Sequence, residues 1–322
     1  MDLVNTPEEL VDKLRKGDRR SLSRLISCAE SKRKEDRELV QSVLRLEDSS
    51  LNSIRLAVSG PPGVGKSTFI NALTRELVSD FRVAILTIDP TSPISGGSIL
   101  GDKTRMEDIV GHPKVFIRPS PSGKSQGGVA AYTSEVIRLC ELAGFDFIII
   151  ETVGVGQNEI TARHLSDHFL LVLHADGGDD LQGIKRGIME LADSFVFNKI
   201  DNTPGRILKK AVGDLQSALH LMRGISEFER YIYQVSSFKG DGVPVFLEGF
   251  LMRVKEEMNT PKWSERRTQQ QQEQFTQLIK EELIRHFIEG ELSEEFDKLR
   301  KRLQNSEITL SDAIVSFREL IN

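Results

Sequence analysis

Gly60-Pro61-Pro62-Gly63-Val64-Gly65-Lys66-Ser67-Thr68 follows the pattern G-x-x-x-x-G-K-[ST], and its flanks decide how it folds. The apolar run Ile54 to Ser59 precedes it, and Phe69, Ile70 and Leu73 follow at helical spacing. A strand, a tight loop and a helix start are the context that a phosphate-binding loop requires. Glycines let the backbone wrap with its N–H groups turned inward, and the helix N-terminus adds partial positive charge facing the same anion. In that geometry residues Gly60 to Thr68 cradle the phosphates, Lys66 reaches the outer ones, and the Ser67 hydroxyl takes one Mg²⁺ position. A nucleoside triphosphate is the expected ligand. A glycine-rich turn with a chance lysine would need eight positions and both flanks to coincide.

Outward from the loop, apolar runs alternate with helical patterns. Strands are expected at Ile54 to Ser59, Val83 to Ile88, Val115 to Arg118, Phe147 to Glu151, Phe169 to Leu173, Phe195 to Phe197 and Ile232 to Val235. Several are continuously apolar, as strands covered on both faces are, and helical segments separate most of them. The fold class that follows is α/β, a doubly wound and mainly parallel sheet over residues 51–258. Ligands of such sheets bind beyond the carboxyl ends of the strands, so the polar residues there carry the functional reading.

Val83 to Ile88 ends in Asp89-Pro90, and the glycine- and hydroxyl-rich stretch from Ser95 to Arg105 brings a second carboxylate, Asp102. Both are candidates for the Mg²⁺ shell, because Mg²⁺ keeps several waters and uses few carboxylates. Phe147 to Glu151 delivers Glu151-Thr152-Val153-Gly154-Val155-Gly156-Gln157 to the same edge. A carboxylate closing a buried strand is costly unless a cation meets it. Glycines beyond it, Gly154 first, permit close approach to a phosphate. Asn198-Lys199-Ile200-Asp201 follows the strand at Phe195 to Phe197. An aspartate placed beside the base accepts from the ring N–H and the exocyclic amine of guanine, a donor pair that adenine lacks, and the lysine stem can lie over the purine. Ser236-Ser237 can complete that pocket.

Thr6-Pro7-Glu8-Glu9 carries an N-cap, a proline at the first helical position and a glutamate at the third, which starts a helix. Leu22, Leu25, Ile26 and Ala29, then Leu39, Val43 and Leu44, continue a helical arm over residues 1–50 whose stripes are expected to pack on the main domain. Residues 259–322 hold further amphipathic patterns, among them Phe275, Leu278, Ile279, Leu283 and Ile284. The 322 residues carry 43 Lys+Arg against 48 Asp+Glu, a net charge of -5 that disfavours a nucleic-acid partner. Cys28 and Cys140 form no C-x-x-C pair, so a reduced, cytoplasmic setting is expected. No apolar run approaches the ~18 residues of a membrane span.

The order G-P-P-G-V-G-K-S-T, I-D-P, G-G-S-I-L-G-D-K-T-R-M, E-T-V-G-V-G-Q, L-Q-G-I-K and N-K-I-D resembles the MeaB/ArgK-type G proteins of the SIMIBI class. The resemblance covers nearly all the chain, including Gly17-Asp18-Arg19-Arg20 and Glu265-Arg266-Arg267. It implies a P-loop GTPase that binds GTP or GDP with Mg²⁺ and serves as chaperone to an adenosylcobalamin-dependent acyl-CoA mutase such as methylmalonyl-CoA mutase. It also implies that Lys66 and Ser67 hold phosphate and Mg²⁺, that Asp89, Asp102 and Glu151 shape the metal site, and that Asn198, Lys199 and Asp201 read guanine. His174 to Lys185 resembles the family's third switch, where Asp179 and Lys185 match residues that couple hydrolysis to the partner. Ala175-Asp176-Gly177-Gly178-Asp179-Asp180 departs from the usual P-G-A-G-D-[ED] there, and the added Asp176 bears on that coupling. The C-terminal helices of the resembled proteins mediate homodimerisation.

The sequence therefore reads as a GTPase in which positioning and electrostatics dominate, since no side chain is an evident strong general base. An ATP-dependent kinase of amino-acid transport conflicts with Asp201 and lacks an H-R-D catalytic loop. A nickel-insertion GTPase conflicts with sparse histidine and unpaired cysteines. A module that binds GTP without turnover would be separated by measuring phosphate release.

Overall fold

The computed structural model describes residues 6–31, 33–46, 53–89, 108–121, 126–152, 157–175, 186–223, 231–284, 286–287, 290 and 292–321. Seven strands, β1 (Ile54–Ser59), β2 (Val83–Asp89), β3 (Val115–Pro121), β4 (Phe147–Thr152), β5 (His168–His174), β6 (Ser194–Asn198) and β7 (Ile232–Gln234), form one sheet in the order β3-β2-β4-β1-β5-β6-β7. Every pairing of these strands is parallel. The expected strands are all present, and the doubly wound α/β class is the observed one.

Alternation along the strands explains the two layers. Ala57, Ile148, Ile150 and Phe169 face a core shared with the helical arm, whereas Leu56, Val58, Phe147 and Ile149 face the opposite core. The first core contains α1 (Pro7–Arg15), α2 (Arg19–Ala29) and α3 (Lys34–Leu44), through buried Leu10, Leu14, Leu22, Leu25, Ile26, Val40 and Val43. The Thr6–Glu9 capping box that starts α1 is formed. In the second core lie α4 (Lys66–Leu77) and a late helix (Val243–Met258). There Phe246 meets Phe69 edge-on at 5.2 Å, meets Tyr233 edge-on at 5.1 Å and stacks on Phe250 at 5.8 Å. Fully buried side chains of that size are each worth roughly 1.5–3 kcal/mol.

The two arginine motifs outside the nucleotide loops both serve the amino-terminal edge of the sheet. Arg19 donates to the carbonyls of His112, Pro113 and Val115 at 2.6, 2.8 and 2.7 Å, which holds the entry of edge strand β3. Arg267 reaches Asp167 through Nε at 2.8 Å and Nη2 at 2.6 Å, and it also bonds the Ser53 carbonyl. It lies in the helix Pro261–Ile284. Chain contacts divide into two compact units, Met1–Gln270 and Gln271–Asn322. The first turns of that helix belong to the first unit, where Gln270 also donates to the Ser166 carbonyl at 2.7 Å. Within the second unit, helices Ser293–Gln304 and Leu310–Ile321 pair through an edge contact of Phe296 on Phe317 at 5.9 Å.

Candidate functional site

The phosphate loop leaves β1 at Ser59 and enters α4 at Lys66, with Gly60, Gly63 and Gly65 all at positive φ. Gly65 shows why no side chain fits: a Cβ there would lie 2.6 Å from Asn198 Nδ2. A Cβ on Gly60 would meet the Val172 carbonyl oxygen of β5. The loop is thus seated directly on neighbouring backbone and side chains. Lys66, buried to 8% exposure, donates from Nζ to the carbonyls of Gly60 at 2.6 Å and Pro61 at 3.0 Å. Its ammonium therefore already sits inside the loop that is expected to hold phosphate. Val64 is buried, whereas Pro62, Gly63 and Thr68 are exposed.

Glu151, the penultimate residue of β4, lies beside that loop. Its Oε1 accepts from Ser67 Oγ at 2.7 Å, and the residue is 3% exposed. Parallel register explains the meeting, since Val58 of β1 pairs with Glu151 and the next residues of β1 open into the loop. The following residue, Thr152, donates from Oγ1 to Ser59 Oγ at 2.9 Å, and both are fully buried. No signal in the sequence pointed to this pair, because only the strand order makes Ser59 and Thr152 neighbours.

At the end of β6, Asn198 joins two loops. Its Nδ2 donates to the carbonyls of Val64 at 2.9 Å and Gly65 at 3.3 Å, and its Oδ1 accepts from Ser237 N at 3.1 Å and Ser237 Oγ at 2.7 Å. Asn198 thus supports the pocket from behind, a role the four-residue motif did not reveal. Lys199 adopts a left-handed φ of 61° and donates from Nζ to the Gly63 carbonyl at 2.6 Å, which lays its stem across the loop. Asp201 accepts from Ser236 Oγ at 2.7 Å, and that bond holds its carboxyl below the usual carboxylate range. Ser236 is fixed in turn by its backbone bonds to Asp241 and Gly240.

Asp89 closes β2, with its side chain outside the described residues. Asp102, Gly154, Asp176, Asp179 and Lys185 also lie outside them. Among the described residues, no three or more His, Cys, Asp or Glu gather as a metal cluster, and no helix is long and apolar enough to cross a membrane.

A family model described as "Methylmalonyl Co-A mutase-associated GTPase MeaB" matches residues 22–291. The chain belongs to the MeaB family. It is 38% identical over 322 residues to a probable GTPase of Mycobacterium tuberculosis, covering 99% of this chain and 96% of that one. It is 36% identical to GTPase ArgK of Escherichia coli over 91% of this chain and 88% of the other. To the mitochondrial methylmalonic aciduria type A homolog of Mus musculus it is 38% identical, over 88% of this chain and 73% of that protein. A crystal structure described as that of a LAO/AO transport system kinase matches with a TM-score of 0.74 at 28% identity, covering 99% of both chains. As a MeaB-family member the protein is a GTPase that binds guanine nucleotide through its P-loop.

Proposed function

We propose that this GTPase is a Mg²⁺-dependent chaperone that assists or protects an adenosylcobalamin-dependent acyl-CoA mutase of the methylmalonyl-CoA mutase type. The observation that carries the reading is the match of residues 22–291 to a family described by its association with methylmalonyl-CoA mutase. In this reading Gly60 to Thr68 bind the phosphates, with Lys66 turning from the Gly60 and Pro61 carbonyls toward the outer ones. Asp201 accepts from guanine, held by Ser236, while Lys199 covers the purine and Asn198 and Ser237 brace the pocket.

Ser67 and Glu151 suit a hard cation: a hydroxyl and a carboxylate oxygen lie 2.7 Å apart in a buried corner beside the phosphate loop. They would hold Mg²⁺, with Asp89 and Asp102 as further candidates from the sequence. When bound, the ion supplies neutralisation of charge on the β- and γ-phosphate oxygens. The residues of the chain position the triphosphate and keep bulk water from the buried side of the loop. Coupling to the mutase is assigned to Asp179 and Lys185 on the sequence alone.

A homodimer built through the C-terminal unit is part of the reading. Phe275, Ile279 and Leu283 are 66%, 44% and 51% exposed at four-residue spacing, and Leu310 and Ile314 are 67% and 46% exposed. The free thiols Cys28 and Cys140 accord with a cytoplasmic location.

Co-purification with a cobalamin-dependent mutase, followed by GTP hydrolysis with and without it, tests the proposal. The mutase should bind and raise turnover, and Lys185→Ala should remove most of the rise while sparing GTP affinity; absence of binding refutes the partner. Structural likeness to the transport-system kinase motivates an ATP-dependent alternative, which Asp201 opposes. Asp201→Asn should weaken GTP binding about ten- to a hundredfold and leave ATP binding unchanged. Equal wild-type affinity for the two nucleotides would favour the alternative.

A further inference from the structure

We propose that the Ser59–Thr152 hydroxyl pair is a positioning element for GTP hydrolysis, holding the entry of the phosphate loop in register with the strand end that carries Glu151. The inference rests on the reading of Lys66, Ser67 and Glu151 as the phosphate and metal residues. Ser59 is the last residue of β1 and Thr152 the last of β4, and the parallel pairing of Val58 with Glu151 brings them side by side. Thr152 Oγ1 donates to Ser59 Oγ at 2.9 Å, and neither residue has measurable exposure.

Packing alone does not call for hydroxyls here. Val58, Ile150 and Val172 nearby are aliphatic and fully buried, and valine would fill the volume of threonine without burying a polar group. What the hydroxyl pair adds is a fixed direction and distance. Successive residues of a strand point to opposite faces. Glu151 therefore holds the far end of the loop through Ser67, and Thr152 holds its near end through Ser59. Gly60, seated against the Val172 carbonyl, prevents the entry from sliding toward β5. Two adjacent residues of one strand thus set where both ends of the loop stand relative to the Glu151 carboxylate.

Loss of the pair frees the loop entry to shift by a fraction of an ångström. The nucleotide stays bound, because the cradle and the Asp201 pocket are intact. Alignment for attack suffers, and small misplacements of reacting groups are costly in rate. The effect therefore falls on kcat and spares KM.

Steady-state GTP hydrolysis by the full chain in excess Mg²⁺, with melting temperature recorded for each variant, tests this. Thr152→Val should lower kcat about tenfold with KM for GTP changed by less than about twofold. Thr152→Ser, which keeps the donor, should restore kcat. Ser59→Ala should repeat the loss, and the double variant should lose no more than either single one. An unchanged kcat in Thr152→Val, a Thr152→Ser no better than Thr152→Val, or additive losses overturn the proposal. Should Thr152→Val not fold, Ser59→Ala decides alone, a normal kcat there refuting the pair. Glu151→Gln measured alongside separates the two readings. Wild-type turnover in Glu151→Gln removes the role of Glu151, whereas a loss there with normal Thr152→Val turnover removes only the role of the pair.

Discussion

The amide nitrogen of Asn198 lies 2.9 Å from the carbonyl oxygen of Val64, a hydrogen bond between residues 134 positions apart in the chain. It ties the end of β6 to the inside of the phosphate loop. With Ser237 bound to the other end of the same side chain, Asn198 links the phosphate half of the site to the base half.

Asn198→Ala should therefore weaken GTP and GDP alike. Removing the side chain strands the Val64 carbonyl and the Ser237 groups at a residue only 2% exposed. The expected loss is about 2–3 kcal/mol of stability, with nucleotide affinity down about tenfold. Titration calorimetry with both nucleotides checks it. Weakened GTP with unchanged GDP binding and melting temperature would contradict a bracing role.

Lys66→Ala should separate phosphate binding from guanosine binding. The ammonium is held 2.6 Å from the Gly60 carbonyl, inside the loop, and its removal takes away the cation that the loop itself supplies. GTP turnover should fall about a hundredfold or more, in keeping with the weight of charge stabilisation in phosphoryl transfer. Guanosine binding should persist. Unchanged turnover in a folded variant would refute the assignment.

The sheet was legible in the sequence because parallel strands covered on both faces are nearly unbroken apolar runs, and β4 and β5 are of that kind. Lys66, Ser67 and Glu151 were legible for a related reason: each follows such a run, where the strand order delivers polar residues to one edge. The bracing by Asn198 and the Ser59–Thr152 pair were not, because both depend on which strands lie next to each other. Periodicity specifies faces, and it does not specify neighbours. The amino-terminal edge was equally hidden. Arg19 and Arg267 stood out as motif residues, but their carbonyl and carboxylate partners lie 93 and 100 positions away.

Acid should destabilise the fold through His168. Burial lowers its pKa from 6.5 to about 3, so the ring is neutral in the folded protein, where Nε2 meets Ser194 Oγ at 2.9 Å. Asp193 favours its protonation, and Arg253, Arg163 and Arg266 oppose it. The unfolded chain takes up this proton near pH 6.5 and the folded one only near pH 3. Stability is thus unaffected above about pH 6.5 and lost as pH falls through the interval between them, by up to ~1.4 kcal/mol per pH unit. Denaturant unfolding at about pH 7 and about pH 5 should show about 2 kcal/mol more loss for wild type than for His168→Gln. Parallel pH profiles would exclude His168 as the source.

Arg267 should matter for stability and not for chemistry. Its guanidinium bonds both carboxylate oxygens of Asp167, whose side chain is 1% exposed, and lies 3.8 Å from Glu141. Arg55 also binds Glu141 through two bonds of 2.8 Å and gives its backbone N–H to Asp167. Two buried carboxylates thus share two arginines at the start of β1 and β5. Removing one cation leaves an uncompensated buried charge, and Arg267→Met should cost about 3–5 kcal/mol. Arg267→Lys should recover little, since a point charge cannot reproduce the paired contact. Adding Asp167→Asn to Arg267→Met should return part of the loss by removing the stranded charge. All of this occurs at the edge opposite the phosphate loop, so below the melting transition the KM for GTP and kcat should match wild type. A variant with normal melting but altered KM would mean that this edge communicates with the nucleotide. Equal stability of Arg267→Met and wild type would mean that hydration repays the ion pairs in full.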